Sequence, residues 1–501
     1  MRFPQSVHNR LSYVGGAIAC LAFIVFVFLV VLETFTGAGR APYAGLVIFV
    51  LVPAFFLFGL AIIPVGMLIE WHRQQRTGAG SILRLPVIDL NDSRYRNATF
   101  VFVAVSIMLL FLSVFGSYQA YEATESVAFC GRLCHQVMAP EYTTYQHSPH
   151  ARVRCVDCHV GPGADWYVKS KLSGLYQVYA VLFDKYPRPI PAPIKSLRPA
   201  QQTCEQCHWP KQFFGGQQQQ FAHFLPDKDN TRWNINLLIK TGGGSPATGR
   251  TEGIHWHMNI ANRVEYIARD GQRQQIPWVR VANLETGTVA EYMVTDNPLT
   301  KEEIARATVR TMDCMDCHDR PTHIFRSPSY LVNLALDTGA LNPALPFIKR
   351  TAVSLLTGKY DSAADALTGI RQGVIASYQD GNPSLPSQQR DTIAPAVAAL
   401  QEIYRENFFP VMRVRWDVYV DNIGHLTSLG CYRCHDGLHQ SAGGKTITKS
   451  CTVCHTIMTQ GTPPHLAVSM DERGLAFQHP EEIGEVWHEM MCSECHSGAL
   501  P

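Results

Sequence analysis

The chain opens with three long apolar runs and becomes polar after them. The runs lie near Tyr13–Thr34, Tyr43–Leu68 and Ala98–Tyr118, and each provides the roughly 20 residues that a helix needs to cross a bilayer. A cleaved signal peptide followed by buried helices would explain only the first run, and no A-x-A-like cleavage site follows that run. The pattern therefore predicts three transmembrane helices in a membrane domain at residues 1–120.

Basic residues are distributed unevenly among the segments that flank these runs. Arg2 and Arg10 precede the first run and five arginines separate the second from the third, whereas only Arg40 lies between the first and the second. Cytoplasmic loops carry an excess of Lys and Arg, so the N-terminus is expected in the cytoplasm. Everything after the third run then lies on the periplasmic side of a bacterial inner membrane.

Shorter periodic segments follow in the polar part. Apolar and polar residues alternate in Arg263–Ala268, Ile276–Ala282 and Thr288–Val294 with turn signals between them, which predicts a small antiparallel β-meander. Thr300 and Glu303 have the spacing of a capping box and predict a helix start. Further helices are expected near Ser327–Asp337, Ile348–Leu356 and Ile393–Glu406, and a solvated turn is expected at Gln217–Gln220.

The chain has fifteen cysteines, and their placement indicates a cofactor. Fourteen form close pairs that are each followed at once by histidine. Cys20 lies in the first apolar run and is interpreted as a side chain of the membrane span without a role in cofactor binding. A c-type haem is held by two thioether bonds and by an adjacent histidine beneath the iron, so this pattern is the haem-attachment signature. In chain order the motifs are Cys130/Cys134/His135, which has one extra loop residue, then the C-x-x-C-H motifs Cys155/Cys158/His159, Cys204/Cys207/His208, Cys314/Cys317/His318, Cys431/Cys434/His435, Cys451/Cys454/His455 and Cys492/Cys495/His496.

Disulfides and zinc sites are the competing interpretations of these pairs. Disulfides need no histidine after the second cysteine, and histidine makes up only 20 of the 501 residues. Zinc ribbons use two cysteine pairs for one metal, without a constant Cys-His dipeptide. The formal net charge of +2 gives no indication of a nucleic-acid partner. We therefore expect seven covalently bound haems.

The resulting fold class is a membrane-anchored multihaem cytochrome c. It combines three transmembrane α-helices with a loop- and helix-rich periplasmic haem domain that contains a small antiparallel β element. The uneven spacing of the motifs predicts four further segments: haems 1–3 at residues 121–210, a β-containing insertion at 211–300, a central helical segment with haem 4 at 301–425, and a cluster with haems 5–7 at 426–501.

The ligand on the second face of each iron separates electron transfer from substrate chemistry. Two protein ligands close the iron, whereas an open face admits a small molecule. Met138 follows His135 by three residues and is a candidate ligand of that iron, with a packing methionine as the alternative. Eleven histidines after residue 120 lie outside the motifs, and a surface role is the alternative for each. The preferred candidates are His150, His257, His323, His425, His439, His465, His479 and His488.

Residues Phe129–Pro210 resemble the NapC/NirT family of membrane-anchored quinol dehydrogenases. The similarity lies in the stretch F-C-G-R-L-C-H-Q-V-M-A-P-E-Y, in K-S-K-L-S-G and in C-E-Q-C-H-W-P. It implies oxidation of menaquinol or ubiquinol and transfer of the electrons to periplasmic partners. A lysine after the second haem lines the family's quinol site, and Lys169 and Lys171 occupy that region here. The layout of three spans and seven motifs is similar to inner-membrane cytochromes that metal-reducing bacteria use to begin extracellular electron transfer.

We therefore expect a quinol:cytochrome c oxidoreductase whose partners are the lipid bilayer, the menaquinol pool and periplasmic c-type cytochromes, in anaerobic or extracellular respiration. A lysine near the membrane surface can hydrogen-bond a quinol oxygen, although Lys and Tyr there also serve as interfacial anchors. One alternative is a non-catalytic electron-transfer subunit of a larger membrane respiratory complex. A terminal reductase often has lysine in place of the motif histidine, and no C-x-x-C-K occurs here. Homo-oligomers and additional subunits remain open.

Overall fold

In the computed structural model, the chain divides into two units, Met1–His135 and Gln136–Pro501. Cys134 and the first residues of the predicted second span, from Tyr43, lie outside the described residues. The structure describes residues 9–36, 51–76, 90–132, 135–161, 163–194, 197–243, 252–380 and 387–499.

The first unit is helical and strongly apolar. Within the described residues, Arg10–Leu29 and Val52–Glu70 are long and apolar enough to cross a membrane, and few of their side chains are buried. The third predicted span, Ala98–Tyr118, lies inside a longer helix in which the placement of several side chains is not described. The helices are α1 (Arg10–Thr36), α2 (Val52–Arg76), α3 (Ser93–Glu125) and α4 (Val127–Arg132).

Helices α1 and α2 pack with their backbones in close contact. A Cβ atom added at Gly59 would lie 2.6 Å from the backbone nitrogen of Ala19, and one at Gly15 would lie 2.7 Å from the carbonyl oxygen of Gly59. The Ser12 hydroxyl donates a hydrogen bond across the pair to the carbonyl oxygen of Ile63. Small residues and interhelical hydrogen bonds of this kind hold helices together in a bilayer.

The second unit contains a helical bundle that carries no cysteine motif, and its apolar core includes Val332, Ile348 and Leu400. The three helices predicted between residues 327 and 406 are confirmed, as is the capping box, in which Thr300 and Glu303 each accept a hydrogen bond from the other's backbone. The helices are α5 (His135–Gln146), α6 (Cys155–His159), α7 (Ala164–Leu182), α8 (Lys301–Arg306), α9 (Cys314–Cys317), α10 (Pro328–Asp337), α11 (Ile348–Thr357), α12 (Ala363–Ile375), α13 (Ser387–Arg390), α14 (Ile393–Asn407), α15 (Val486–Glu489) and α16 (Cys492–Cys495).

Two antiparallel sheets complete the second unit. Their strands are β1 (Gln217–Phe224), β2 (Arg232–Ile239), β3 (Asn262–Ile267), β4 (Trp278–Asn283), β5 (Val289–Val294), β6 (Arg310–Thr311), β7 (His439–Gln440), β8 (His455–Thr462) and β9 (His465–Val468). The strand orders are β1-β2-β8-β9 and β6-β3-β4-β5-β7. The predicted meander is confirmed as β3-β4-β5.

Long-range strand pairs connect the middle of the chain to its end. Strand β5 pairs with β7, and β2 pairs with β8, so residues 211–300 and 426–501 share both sheets. The prediction of a turn at Gln217–Gln220 was wrong, because these residues form the first half of edge strand β1. A four-residue run of one polar residue type carries no period-2 signal that would reveal a strand.

Candidate haem-binding centres

Each C-x-x-C-H motif closes into a single turn that brings its three functional groups together. The backbone N–H of His208 donates to the carbonyl oxygen of Cys204 at 2.8 Å, and that of His435 donates to Cys431 at 3.0 Å. His318 and His496 make the same bond to the first cysteine of their own motif, at 2.8 Å. Residues three and four apart share one side of such a turn, so both thiols and the imidazole point towards the same macrocycle.

Among the side chains that the structure describes, six motif histidines face a second imidazole ring. The ring centroids of each pair lie 5.9–6.3 Å apart. Two metal–nitrogen bonds of about 2 Å, extended by about 1.1 Å from each nitrogen to its ring centre, span about 6 Å, so each gap fits one iron. The pairs are His159–His323, His208–His150, His318–His255, His435–His257, His455–His425 and His496–His479.

Hydrogen bonds at Nδ1 leave the other ring nitrogen available to a metal. Nδ1 of His255 lies 2.7 Å from the carbonyl oxygen of Thr241, and Nδ1 of His323 lies 2.9 Å from that of Glu141. A carbonyl oxygen only accepts, so Nδ1 carries the proton and Nε2 keeps its lone pair, as in most metal-bound imidazoles. Three more of these rings bond carbonyl oxygens in this way, in the pairs His150–Pro321, His257–Ile254 and His435–Thr448.

Burial keeps several of these imidazoles in the form that binds metals. It lowers the pKa of His323 and the pKa of His455 to about 4. Burial also lowers the pKa of His318, with a smaller contribution from the neighbouring His255. Because a metal binds the neutral ring, low pKa values favour ligation at neutral pH.

Sites whose motifs are consecutive in the chain lie near one another. We number the sites by their motifs, and cysteines of consecutive motifs lie within electrostatic range of one another, as Cys204 and Cys314 do. The remaining neighbours are Cys158 with Cys204 and Cys207, Cys317 with Cys431 and Cys434, Cys431 with Cys454, and Cys451 with Cys492.

Hydrogen bonds also join the motif turns of sites 4 and 5. Arg433 lies inside the fifth motif, is buried, and donates to the carbonyl oxygens of Asp316 at 2.6 Å and of Arg273 at 3.1 Å. The carboxylate of Asp316, inside the fourth motif, is itself buried and accepts from the Tyr266 hydroxyl and from the Arg273 guanidinium. This network fixes the position of one motif turn against the other.

Three of the preferred histidines do not face any of the six described motif histidines. His439 is fully buried, and its two ring nitrogens contact the Asp436 carboxylate and the carbonyl oxygen of Ile276, so neither is available to a metal. Nε2 of His488 pairs with Glu485, and His465 is exposed at the start of β9.

His255 was not among the preferred candidates, yet it faces His318 with nearly parallel rings. It shares the short 3₁₀ turn Ile254–Met258 with His257, which faces the next motif histidine, His435. One turn thus supplies an imidazole to each of two neighbouring sites. The His-Trp-His spacing in a long motif-free segment was the signal for this pair.

The first motif and the two candidate lysines occupy other parts of the chain. Cys130 lies in α4, and Met138 is half-buried in α5, while Cys134 and the side chain of His135 lie outside the described residues. Lys169 and Lys171 both lie in α7. Their ammonium nitrogens lie 4.9 Å and 4.8 Å from the ring centres of Trp166 and Tyr167, respectively.

Apolar N-terminal helices and a series of c-type haem motifs together define a membrane-anchored multihaem cytochrome c. Residues 92–189 match the NapC/NirT cytochrome c family, N-terminal region. The chain is 43% identical over 497 residues to the cytochrome c-type protein ImcH of Geobacter sulfurreducens. The matched region covers 98% of this chain and 95% of that protein. It is 35% identical over 78 residues to the cytochrome c-type protein NrfH of Wolinella succinogenes, 15% of this chain and 44% of that protein. No solved structure matches the chain.

The chain therefore belongs to the NapC/NirT family of c-type cytochromes, which confirms the resemblance seen in its sequence. Membership establishes covalently bound c-type haem, membrane anchoring and quinol-linked electron transport.

Proposed function

We propose that this chain is an inner-membrane menaquinol dehydrogenase that passes electrons through seven c-type haems to periplasmic cytochromes. The observation that carries the proposal is the set of six facing imidazole pairs. An iron with a histidine on each face has no open position for a substrate, which suits electron transfer and disfavours a terminal reductase. The closeness of consecutive sites supports one continuous series of centres from the second motif to the seventh.

The residues of the chain determine where each haem is held and how its potential is tuned. When bound, c-type haem supplies reversible one-electron chemistry at its iron. The two cysteines of each motif would hold the macrocycle covalently, and the two histidines of each pair would ligate its iron. The carbonyl group that accepts from Nδ1, such as Thr241 beside His255, fixes the ring and raises its basicity as a ligand.

The proposed quinol site lies on α7. Quinol oxidation releases protons as well as electrons, so a donor that stabilises the developing negative charge on the quinol oxygen lowers the barrier. Lys169 and Lys171 provide ammonium groups for this role, and Lys169 is exposed. Three transmembrane helices, with the N-terminus in the cytoplasm and the haem domain in the periplasm, complete the proposed topology, and the arginine distribution supports it.

The last site lies in a segment suited to a cationic redox partner. Residues 474–501 contain five glutamates and neither lysine nor arginine. All five side chains are exposed, as is Cys495 of the seventh motif. An acidic surface around a terminal haem steers a lysine-rich periplasmic cytochrome into short-lived contact. The glutamates are Glu481, Glu482, Glu485, Glu489 and Glu494.

Quinol-driven reduction of the haems tests the proposal directly. The purified holoprotein in proteoliposomes receives a menaquinol analogue, and the haem absorbance is followed in the wild type and in the double variant Lys169→Ala/Lys171→Ala. We expect the initial rate to fall at least tenfold in the double variant, while dithionite reduces the same amount of haem in both proteins. Lys185→Ala, just beyond the same helix, is the matched control and should keep the wild-type rate.

Two results would count against this assignment. An unchanged rate in the double variant removes the lysines from the quinol site. A wild-type protein with intact haems that no menaquinol analogue reduces favours the alternative function, a non-catalytic electron-transfer subunit of a larger membrane respiratory complex.

A further inference from the structure

Helix α7 exposes a continuous apolar stripe on the second unit. The six side chains have exposed fractions between 50% and 66%, which is unusual for large apolar residues on one face of a helix. Their spacing of three and four residues places them on one side of the helix. The stripe consists of Val168, Leu172, Leu175, Tyr176, Tyr179 and Leu182.

Away from the stripe, the last turn of the same helix packs against the second unit. Ala180 is buried, and Val181 packs against an apolar cluster that includes Met412 and Tyr419. Gln177 is exposed on the polar side and donates to the Ser173 hydroxyl. The helix is therefore anchored to the unit by one face, and a second apolar face remains turned outwards.

The residues that border the stripe indicate what covers it. At 100° per residue, Lys169 lies beside one edge of the stripe and Lys171 beside the other. Lysines in such positions extend their ammonium groups towards anionic headgroups while their carbon chains remain on the apolar surface. Tyr176 and Tyr179 each combine an apolar ring with a polar hydroxyl, the composition found at membrane–water interfaces.

We propose that α7 lies flat in the outer interfacial layer of the bilayer that the chain itself spans, with the stripe in contact with lipid. An amphipathic helix with lysines at its polar edges and large apolar residues between them binds in this way. Residues 126–163, which include α4, α5 and α6, connect membrane helix α3, which ends at Glu125, to α7, which begins at Ala164, and act as a tether. The tether holds α7 at a high effective concentration near the lipid surface, so a modest intrinsic affinity is sufficient. A second contact fixes the haem unit against the membrane, and it does not depend on whether the lysines bind quinol.

Site-specific labelling of the full-length holoprotein tests the contact. In a Cys20→Ser background, Leu175→Cys and Val168→Cys place single thiols on the stripe, and Gln177→Cys places one on the polar side. Each variant is incorporated as one copy per nanodisc of phosphatidylethanolamine and phosphatidylglycerol and is treated with a membrane-impermeant maleimide. Unchanged haem content and absorbance show that each variant has folded.

We expect the stripe variants to react roughly tenfold more slowly than Gln177→Cys, because lipid excludes a polar reagent. Equal rates at all three positions would overturn the proposal. Protection of the stripe variants in native membranes, but not in single-copy nanodiscs, would also overturn it and would assign the stripe to a protein partner. The readout requires no quinol, so it is independent of the menaquinol dehydrogenase assignment.

Discussion

At the residue scale, His255 illustrates how a neutral imidazole is prepared for a metal. Its Nδ1 proton is directed at the carbonyl oxygen of Thr241, burial lowers its pKa, and its ring is nearly parallel to that of His318. Together these features orient Nε2 before any metal binds, so little rearrangement is needed to close the sixth position of the iron.

The substitution His255→Leu should therefore open one iron without releasing its haem. The two thioether bonds of the fourth motif remain, so the haem content stays unchanged. We expect one haem equivalent to change from a low-spin to a high-spin signal in low-temperature electron paramagnetic resonance. The matched control His465→Leu, at an exposed histidine, should leave the spectrum unchanged. A low-spin spectrum in the first variant would contradict the pairing.

Lys349 is a charged residue placed where the structure disfavours its charge. Its side chain is buried in the helical bundle, its ammonium donates to the backbone and hydroxyl oxygens of Ser329, and burial lowers its pKa to about 7. Between this value and the ordinary pKa of lysine, the unfolded chain binds more protons than the native one. Raising the pH through that window therefore stabilises the native state.

Substitution of this lysine should remove the pH dependence. We expect the free energy of unfolding to rise from pH 7 to pH 10 in the wild type by up to about 1.4 kcal/mol per pH unit more than in Lys349→Met. Circular dichroism melts at several pH values measure the difference. Lys359→Met, an exposed position in the same bundle, should retain the wild-type slope. Parallel slopes in the wild type and Lys349→Met would disprove the lowered pKa.

Sequence and structure contribute differently to the haem sites at this scale. The covalent half of each site was predictable, because two cysteines and a histidine within five or six residues specify one macrocycle locally. Five of the six facing histidines were among the preferred candidates, but which motif each one faces was not predictable, because His323 and His159 meet only after a long segment of chain has folded. His439 has suitable burial but directs both nitrogens at oxygen acceptors, and that difference has no signature in its neighbouring residues.

At the element scale, the predicted elements were those with a clear period or cap. The β3-β4-β5 meander and α8 were found from alternation and from the Thr300 capping box. Helix α12 was missed because Gly369 and Gly373 weaken its helical signal, and the structure explains both glycines by packing. A Cβ atom at Gly373 would lie 2.3 Å from the Leu355 side chain, and one at Gly369 would lie 2.7 Å from the Tyr360 ring.

Arg433 connects two elements, the motif turns of sites 4 and 5, through its buried hydrogen bond to the carbonyl oxygen of Asp316, and it also donates to the carbonyl oxygens of Gly430 and Arg273. Arg433→Met leaves these acceptors without a donor, and we expect a loss of stability of about 3 kcal/mol. Redox titration should also show altered potentials for two haems. Arg405→Met, at an exposed pair with Glu402, is the control and should cost less than about 0.5 kcal/mol. A melting temperature of Arg433→Met equal to that of the wild type would refute this role.

At the scale of the whole molecule, motifs that are consecutive in the sequence of the second unit also lie near one another in space. Consecutive motifs lie side by side from Cys158 to Cys492, although some are separated by about a hundred residues. The sequence did not predict this arrangement, because it depends on the pairing of β2 with β8 and of β5 with β7. Those strand pairs bring the last three motifs beside the earlier ones.

The central claim is that the chain carries seven thioether-linked haems, including one at the unusual Cys130/Cys134/His135 motif. The most direct test is the intact mass of the denatured full-length holoprotein, because thioether-linked haem stays attached when the fold is lost. We expect the mass of the polypeptide plus seven haems. A mass lower by one haem, with Cys130 and Cys134 alkylatable, would refute the assignment of the first motif, and the mass of the bare polypeptide would refute covalent haem attachment altogether.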